Sequence, residues 1–370
     1  MKTSLYAAVG MFVRNLKILS RQKQLIIAPI LLPLILMYLT AVIMGAGGDQ
    51  WPVGLVDEAN NAESKSLVRS IEQSHSNITK YYNVVERDLE KARAKVREGR
   101  LQLLIRIPSD YAKSKDVYIE TFNINSDMMK NVRLRLEHSI LDELALNGGL
   151  RVVPKLITEK PHDVWRVSYI AGSCLLLSLF MGATITAGNL HAFENENRTK
   201  KEILLTPQPL WLAGLGNVAA AVTTAVICSI PSLLLAVFAF KMKIYTSPLL
   251  QVYLMMIPVM IACACAGLWL AHVLKNYRVL QPTVIVLSIA TFFGTGGFIG
   301  VSVLPEASQT FARYWIVSRV FQWFNPVLHN FKAGFTAEQA VSITAVAAIG
   351  LALIPVLYRL TGKKSFSGGQ

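Results

Sequence analysis

Hydrophobic and polar positions alternate between two regimes along this chain of 370 residues. In the first, apolar residues run on without interruption. Residues 25–46, 167–190, 210–240, 248–274, 279–299 and 340–358 form six such runs, none of which contains Asp, Glu, Lys or Arg. A transmembrane helix needs about 20 mostly apolar residues, so the pattern predicts six spans. The third is long enough to tilt or to break near Pro231, and the fourth contains Pro258. A further stretch, 314–327, is interrupted by Arg319, Asn325 and Pro326. It is too short to span and reads as a re-entrant or interfacial segment within 300–335.

The second regime is periodic. Residues 53–57, 78–85 and 117–122 read as strands. Leu101, Leu103, Ile105 and Ile107 alternate, which predicts a half-buried strand ending at Pro108. Residues 64–75 read as a helix with Leu67, Val68 and Ile71 inward. Residues 86–97 read as another, with Leu89, Ala92 and Val96 on one face and Gly99 as its stop. Met129, Val132, Leu136, Ile140 and Leu144 place a stripe on a final long helix. Residues 47–163 are therefore expected to fold as an α+β domain between the first and second spans. It has no cysteine to support it by a disulfide.

The leader, 1–24, is periodic too. Leu5, Ala8, Val9, Phe12, Leu16 and Leu19 fall on one helical face, with Arg14, Lys17 and Arg21 opposite. This is the pattern of a basic amphipathic helix in the headgroup plane. A secretory h-region is about 7–15 residues. The run 25–46 is longer and follows a long leader, so it reads as a retained span.

Composition sharpens this picture. The chain is 53% hydrophobic and 16% charged, with a net charge of +14. Residues 47–163 hold 18 basic and 18 acidic side chains, so the excess lies in the apolar remainder, with 19 basic and 5 acidic. That excludes a single soluble domain and argues against nucleic acid as partner. Thirteen Lys and Arg cluster at alternate span ends: 2–23, 198–201, 275–278 and 359–364. Five occupy the opposite short loops. By the positive-inside rule both termini are cytoplasmic and 47–163 is external.

Catalytic and metal-binding patterns are missing. Cys174, Cys228, Cys263 and Cys265 all fall inside predicted spans, none with metal-site spacing, and read as small apolar residues. His191 and His272 sit near cytoplasmic span ends. No zinc-protease, nucleophile-elbow or P-loop motif occurs. The spans also lack the acidic relays common in proton-driven and ion-coupled carriers. Transport by such a chain needs energy from a partner.

The loop between the second and third spans, 191–209, holds Glu194, Glu196 and Glu202, three of the five acids outside the external block. It reads as a short charged helix with an apolar tail, 203–205, stopped by Thr206 and Pro207. Such an element either docks in a groove of a soluble partner or is a plain solvated turn. The order Glu194, Glu196, Thr199, Glu202, Leu204, Leu205, Thr206, Pro207 resembles the loop of ABC-2 type transporter permeases. In that family it runs Glu-x-Glu-x-Gly-Thr-x-Glu-x-Leu-Leu-x-Thr-Pro. Here Arg198 replaces the Gly, and Thr206 follows Leu205 directly. The amphipathic leader is similar to that family's. The segment Val53-Gly-Leu-Val-Asp-Glu58, the Ile107-Pro108 pair and a later Asn-Ser-Asp run resemble the external domain of its bacterial drug-exporter branch. Gly297, Pro305, Asn325 and Pro326 match the family's re-entrant hairpin, with Ser302 where a Pro is usual and Lys332 in place of the usual Arg.

The resemblance implies an α-helical polytopic membrane protein. It has six transmembrane helices, an N-terminal interfacial helix, a re-entrant hairpin and an α+β external domain. It implies a bacterial inner-membrane permease, one of two identical or similar chains, with ATP and Mg bound on a separate ATP-binding subunit. That subunit would meet Glu194, Glu196, Arg198, Thr199, Lys200, Glu202, Leu204, Leu205, Thr206 and Pro207. A periplasmic partner for the external domain is also consistent. The cargo would be an amphipathic small molecule, a lipid or a peptide. Small residues in the second and fifth spans, among them Gly182, Thr186, Gly294 and Gly297, either pack helices within one subunit or line a path or dimer interface. The competing readings are a membrane-anchored sensor, an ion-coupled carrier or channel, and an intramembrane enzyme.

Overall fold

The computed structural model describes residues 2–44, 50–75, 80–97, 101, 103–121, 134–141, 164, 166–197, 199–298, 305–330 and 337–367. They fall into two compact units, Met44–Trp165 and Met1–Ile43 with Arg166–Gln370.

The smaller unit contains β1 (Trp51–Asp57), α3 (Ala62–Gln73), β2 (Tyr82–Glu86), α4 (Leu89–Arg97), β3 (Leu103–Ile107), α5 (Tyr111–Ser114), β4 (Tyr118–Thr121) and a helix over 134–141, here α6. The sheet order is β2-β1-β3-β4. The first three strands are parallel and β4 is antiparallel to β3. Strands and helices alternate, so the unit is α/β rather than the expected α+β. β1 lies between β2 and β3, so the two crossovers run in opposite directions, and right-handed crossovers then put α3 and α4 on opposite faces. Leu67, Ile71 and Leu136 cover one face, with Val53, Leu55, Leu103 and Ile105. Ala92 and Val96 cover the other, with Val56, Leu101 and Leu104. β3 is therefore buried on both faces at Leu104, not half-buried as its alternation predicts. Gly99, Met129, Val132, Leu144 and the Asn-Ser-Asp run lie outside the described residues.

The larger unit is helical: α1 (Lys2–Arg21), α2 (Ile27–Met44), α7 (Arg166–Glu196), α8 (Thr199–Leu204), α9 (Trp211–Phe238), α10 (Thr246–Leu274), α11 (Tyr277–Gly294), α12 (Glu306–Tyr314), α13 (Ile316–Leu328) and α14 (Ala337–Ser367). Among the described residues four stretches are long and apolar enough to cross a membrane: Val167–Glu196, Trp211–Phe238, Thr246–Leu274 and Ala337–Leu360. The apolar parts of α2 and α11, Ile27–Val42 and Arg278–Gly294, are shorter than the expected spans. α11 stops at Gly294 because Thr295-Gly-Gly follows, with Gly296 at φ 107°, in the left-handed region that favours glycine. α9 runs through Pro231 as one helix.

α7 is the centre. Residues 170–192 are buried without exception, and α9, α10, α11 and α13 pack around them. A Cβ on Gly267 of α10 would overlap the Thr184 carbonyl oxygen, and one on Gly182 would lie 2.8 Å from Ala225 Cα of α9. Small residues thus bring backbones together in place of hydrophobic driving force, which is weak between helices in lipid. The outer faces of α2, α9, α10, α11 and α14 expose large apolar side chains, among them Leu31, Tyr38, Ile230, Leu254, Val286 and Ile349.

The prolines explain one polar residue in this core. Pro33 of α2 has no N–H to give to the Pro29 carbonyl, which a helix would otherwise satisfy. The Ser178 hydroxyl of α7 lies 3.2 Å from that carbonyl and 3.2 Å from the Cys228 carbonyl, in the turn before Pro231 of α9. One hydroxyl therefore joins three helices at two proline-weakened turns. Ser178→Ala is expected to lower stability by about 1 kcal/mol, measured by thermal unfolding in detergent. Thr223→Ala, whose hydroxyl returns to Ala219 of its own helix at 3.0 Å, is expected to cost clearly less. Equal losses would contradict this role.

Candidate coupling site

α7 does not end where its apolar run ends. It continues through His191 to Glu196, because nothing in 191–196 breaks a helix and its polar side chains find partners inside the protein. Glu194 is only 2% exposed and pairs with Arg14 of α1 through Oε1 at 3.2 Å. Its other oxygen lies 3.5 Å from Asn217 Nδ2 of α9. Asn217 Nδ2 also donates to the Tyr358 hydroxyl of α14 at 3.2 Å, and Asn217 Oδ1 accepts from Asn15 Nδ2 at 2.5 Å. His191 Nδ1 lies 3.3 Å from the same Tyr358 hydroxyl. Four helices therefore meet in one buried polar cluster. A carboxylate taken out of water costs several kcal/mol unless paired and hydrogen-bonded, so the cluster fixes the position of α1.

Two local features let α1 approach. Gly216 is one: a Cβ there would lie 2.6 Å from Met11 Cβ and 3.2 Å from the α1 backbone. The other is Asn189, which donates to the Leu25 carbonyl at 3.0 Å and so ties the 3-10 turn Lys23–Leu25 to α7. Phe12, Leu16 and Leu19 pack with Leu190, Phe193 and Ala220. Of the stripe assigned to the membrane surface, Leu19 is buried, Ala8, Phe12 and Leu16 are half-buried and Val9 is exposed; among the described side chains of α1, Tyr6, Val9 and Val13 are the exposed large apolar ones. Lys17 and Arg21 are exposed, whereas Arg14 is half-buried in its ion pair.

The short helix α8 follows two residues after α7. Thr199 is half-buried, its hydroxyl 3.5 Å from the Glu194 carbonyl. Glu196, Glu202, Thr206 and Pro207 are exposed, and Leu205 is 87% exposed. The helix stops as predicted: Thr206 turns its hydroxyl back to the Ile203 carbonyl at 2.7 Å, just before Pro207. Arg198 lies outside the described residues, as do the side chains of Lys200 and Leu204. The set named from the sequence thus divides. Glu196, Glu202, Leu205, Thr206 and Pro207 form a surface. Glu194 is not part of that surface: it is buried and paired with Arg14.

The other named residues lie elsewhere. Thr186 is buried in α7, and Gly297 packs against Phe292 and Phe321. Gly182 packs against α9, as above. Gly294 faces open space. Pro305 precedes α12. Asn325, buried in α13, donates to the Ser173 hydroxyl of α7 at 2.7 Å, and Pro326 sits in the last turn of the same helix. Ser302 and Lys332 lie outside the described residues. Asn15, Asn217 and Tyr358 escaped the sequence reading. The available signal was a carboxamide inside an apolar run, since intramembrane polar residues face the bundle interior and pair there. Among the described residues no three metal-ligating side chains come together.

A buried helical core with an outward apolar surface and an exposed, anchored helix on its connecting loop defines a multi-pass membrane protein. The model of the ABC-2 family transporter proteins matches residues 23–359, and the chain belongs to that family. It is a transport protein, the membrane permease of an ABC transporter, a kind of subunit that works with an ATP-binding partner. Among curated proteins none matches the sequence.

Removing one partner of a buried ion pair costs about 3–5 kcal/mol, more than the pair itself contributes. Arg14→Met is therefore expected to destabilise the protein by about that amount, and Glu194→Gln added to it to recover a large part. Thermal unfolding of the two single variants and the double variant checks this. Additive losses would contradict a direct pair.

Proposed function

We propose that this chain is the permease of an ATP-driven exporter, and that a separate ATP-binding subunit drives it by pressing on α8 and the turn that follows. The observation that carries this reading is the exposed Glu202–Pro207 tip standing on the buried Glu194–Arg14 pair. The exposed apolar Leu205 gives a docking surface grip, and the exposed Glu202 three residues before it gives register. The reading is supported by family membership, whose members pair with subunits that bind ATP and Mg.

On this reading six helices cross the bilayer. α2 and α11, each of 18 residues, extend about 27 Å, near the hydrocarbon thickness of about 30 Å. The small mismatch is absorbed by local thinning. α12 and α13, with 9 and 13 residues, form the re-entrant hairpin. Basic residues at alternate span ends put both termini in the cytoplasm and 47–163 outside a bacterial inner membrane. Two permeases, identical or similar, enclose the path for an amphipathic small molecule, lipid or peptide. The external unit is free to meet a periplasmic partner.

The mechanism follows from the connections. α8 cannot move without the end of α7, because only two residues separate them. The end of α7 cannot move without α1, because separating Glu194 from Arg14 strands a buried charge. Pressure at Glu202 and Leu205 therefore moves α1, α7 and the start of α9 together. Glu202→Lys is expected to lower transport and substrate-stimulated ATP hydrolysis at least tenfold, equal to a loss of about 1.4 kcal/mol of coupling. Folding should be unaffected, since an exposed substitution stays within about 0.5 kcal/mol. Wild-type coupling in a reconstituted complex of that variant would refute the proposal.

A further inference from the structure

A cleft of about 680 Å³ opens beside the coupling site, between α1, the end of α7 and α8. Arg14, Lys17 and Arg21 line it. Their spacing of three and four residues puts them on one face of α1. Val13 and Phe193 add apolar wall, and Thr199 brings in the first turn of α8. Among the described residues no acidic group pairs with Lys17 or Arg21. The cleft thus holds two cations, Lys17 and Arg21, without a described acidic partner, beside Arg14 in its pair with Glu194.

The adjoining surface shows what kind of molecule fits. Tyr6, Val9 and Val13 are exposed on α1, with Tyr6 at 74%, and their spacing makes a second stripe beside the cationic one. Val13 belongs to both the stripe and the cleft wall. An acidic protein segment would leave this apolar stripe uncovered. A molecule with an anionic phosphate and hydrocarbon chains would cover both, its phosphate among the cations and its chains along the stripe. The location agrees, because the cleft lies at the end of α7, where a spanning helix leaves the hydrocarbon.

We infer that the cleft binds the phosphate headgroup of an anionic phospholipid, which thereby acts on the coupling site. The connection runs through Arg14, which lines the cleft and also holds Glu194. A phosphate there shares the guanidinium with the buried carboxylate and holds α1 against α7 and α8. The inference rests on the cytoplasmic placement of this end in the proposed function.

The test needs no ATP-binding subunit, so it succeeds or fails apart from the coupling reading. The full-length protein is reconstituted in nanodiscs of equal parts phosphatidylglycerol and phosphatidylcholine, then released into mild detergent, and retained lipid is counted by native mass spectrometry. Phosphatidylglycerol is expected to be retained preferentially. The K17Q/R21Q variant should lose that preference by about 25-fold, roughly fivefold per cation. K17R/R21K, which keeps the charge, should retain it, and this separates loss of the site from a folding defect. Millimolar inorganic phosphate should not displace the lipid. Equal retention of both lipids by the wild type, unchanged retention by K17Q/R21Q, or displacement by free phosphate would each overturn the inference.

Discussion

The burial of one carboxylate organises the working end of this protein. Glu194 sits inside the bundle at the end of its central helix, where an unpaired charge would cost several kcal/mol. Its partner has to come from a helix outside the core, and Arg14 supplies it from α1. Asn217 then satisfies the second oxygen while binding Asn15 and Tyr358. Remove the charge, and α1 keeps the Asn15–Asn217 bond, the contact along Gly216 and the small apolar cluster around Leu19. The ion pair thus ties a surface helix to the end of α7, from which the exposed α8 follows.

The same economy of polar groups governs the core. α7 is buried on every side, so its serines, threonines and asparagine have no water to meet. Thr184 returns its hydroxyl to the Phe180 carbonyl of the same helix, and the other described bonds reach outward. Ser178 meets carbonyls beside Pro33 and Pro231, Asn189 meets the turn at Leu25, and Ser173 meets Asn325 of α13. Gly182 and Gly267 allow close contacts with neighbouring helices of the same chain, whereas a Cβ on Gly294 would meet open space.

Much of this was legible in the sequence, for physical reasons that also mark where it stopped. Uninterrupted apolar runs and span-end charges announce spanning helices directly, and the alternation of β3 and the stripe of α3 announce the smaller unit. The end of α7 was not legible, because His191 and Glu194 look like a loop until Arg14 and Tyr358 are known to lie beside them. The orientation of α1 was hidden for a related reason. Periodicity reveals an apolar face but not whether lipid or protein covers it, and here protein covers Leu16 and Leu19. Leu104 was missed because a covering helix on the second sheet face leaves no trace in alternation. The order of Glu202, Leu205 and Pro207 pointed to a docking element and all three are exposed, whereas Glu194, read with them, is buried.

The central claim is that α8 is the seat of a separate ATP-binding subunit. The most direct measurement is a gentle detergent purification from native membranes, with mass spectrometry of what accompanies the chain and an ATP hydrolysis assay. The account predicts a stoichiometric P-loop subunit that hydrolyses ATP and is lost when Leu205 is changed to Asp. A preparation that keeps its lipids and its fold but carries no such subunit, or one whose subunit stays bound to the Leu205 variant, would contradict it.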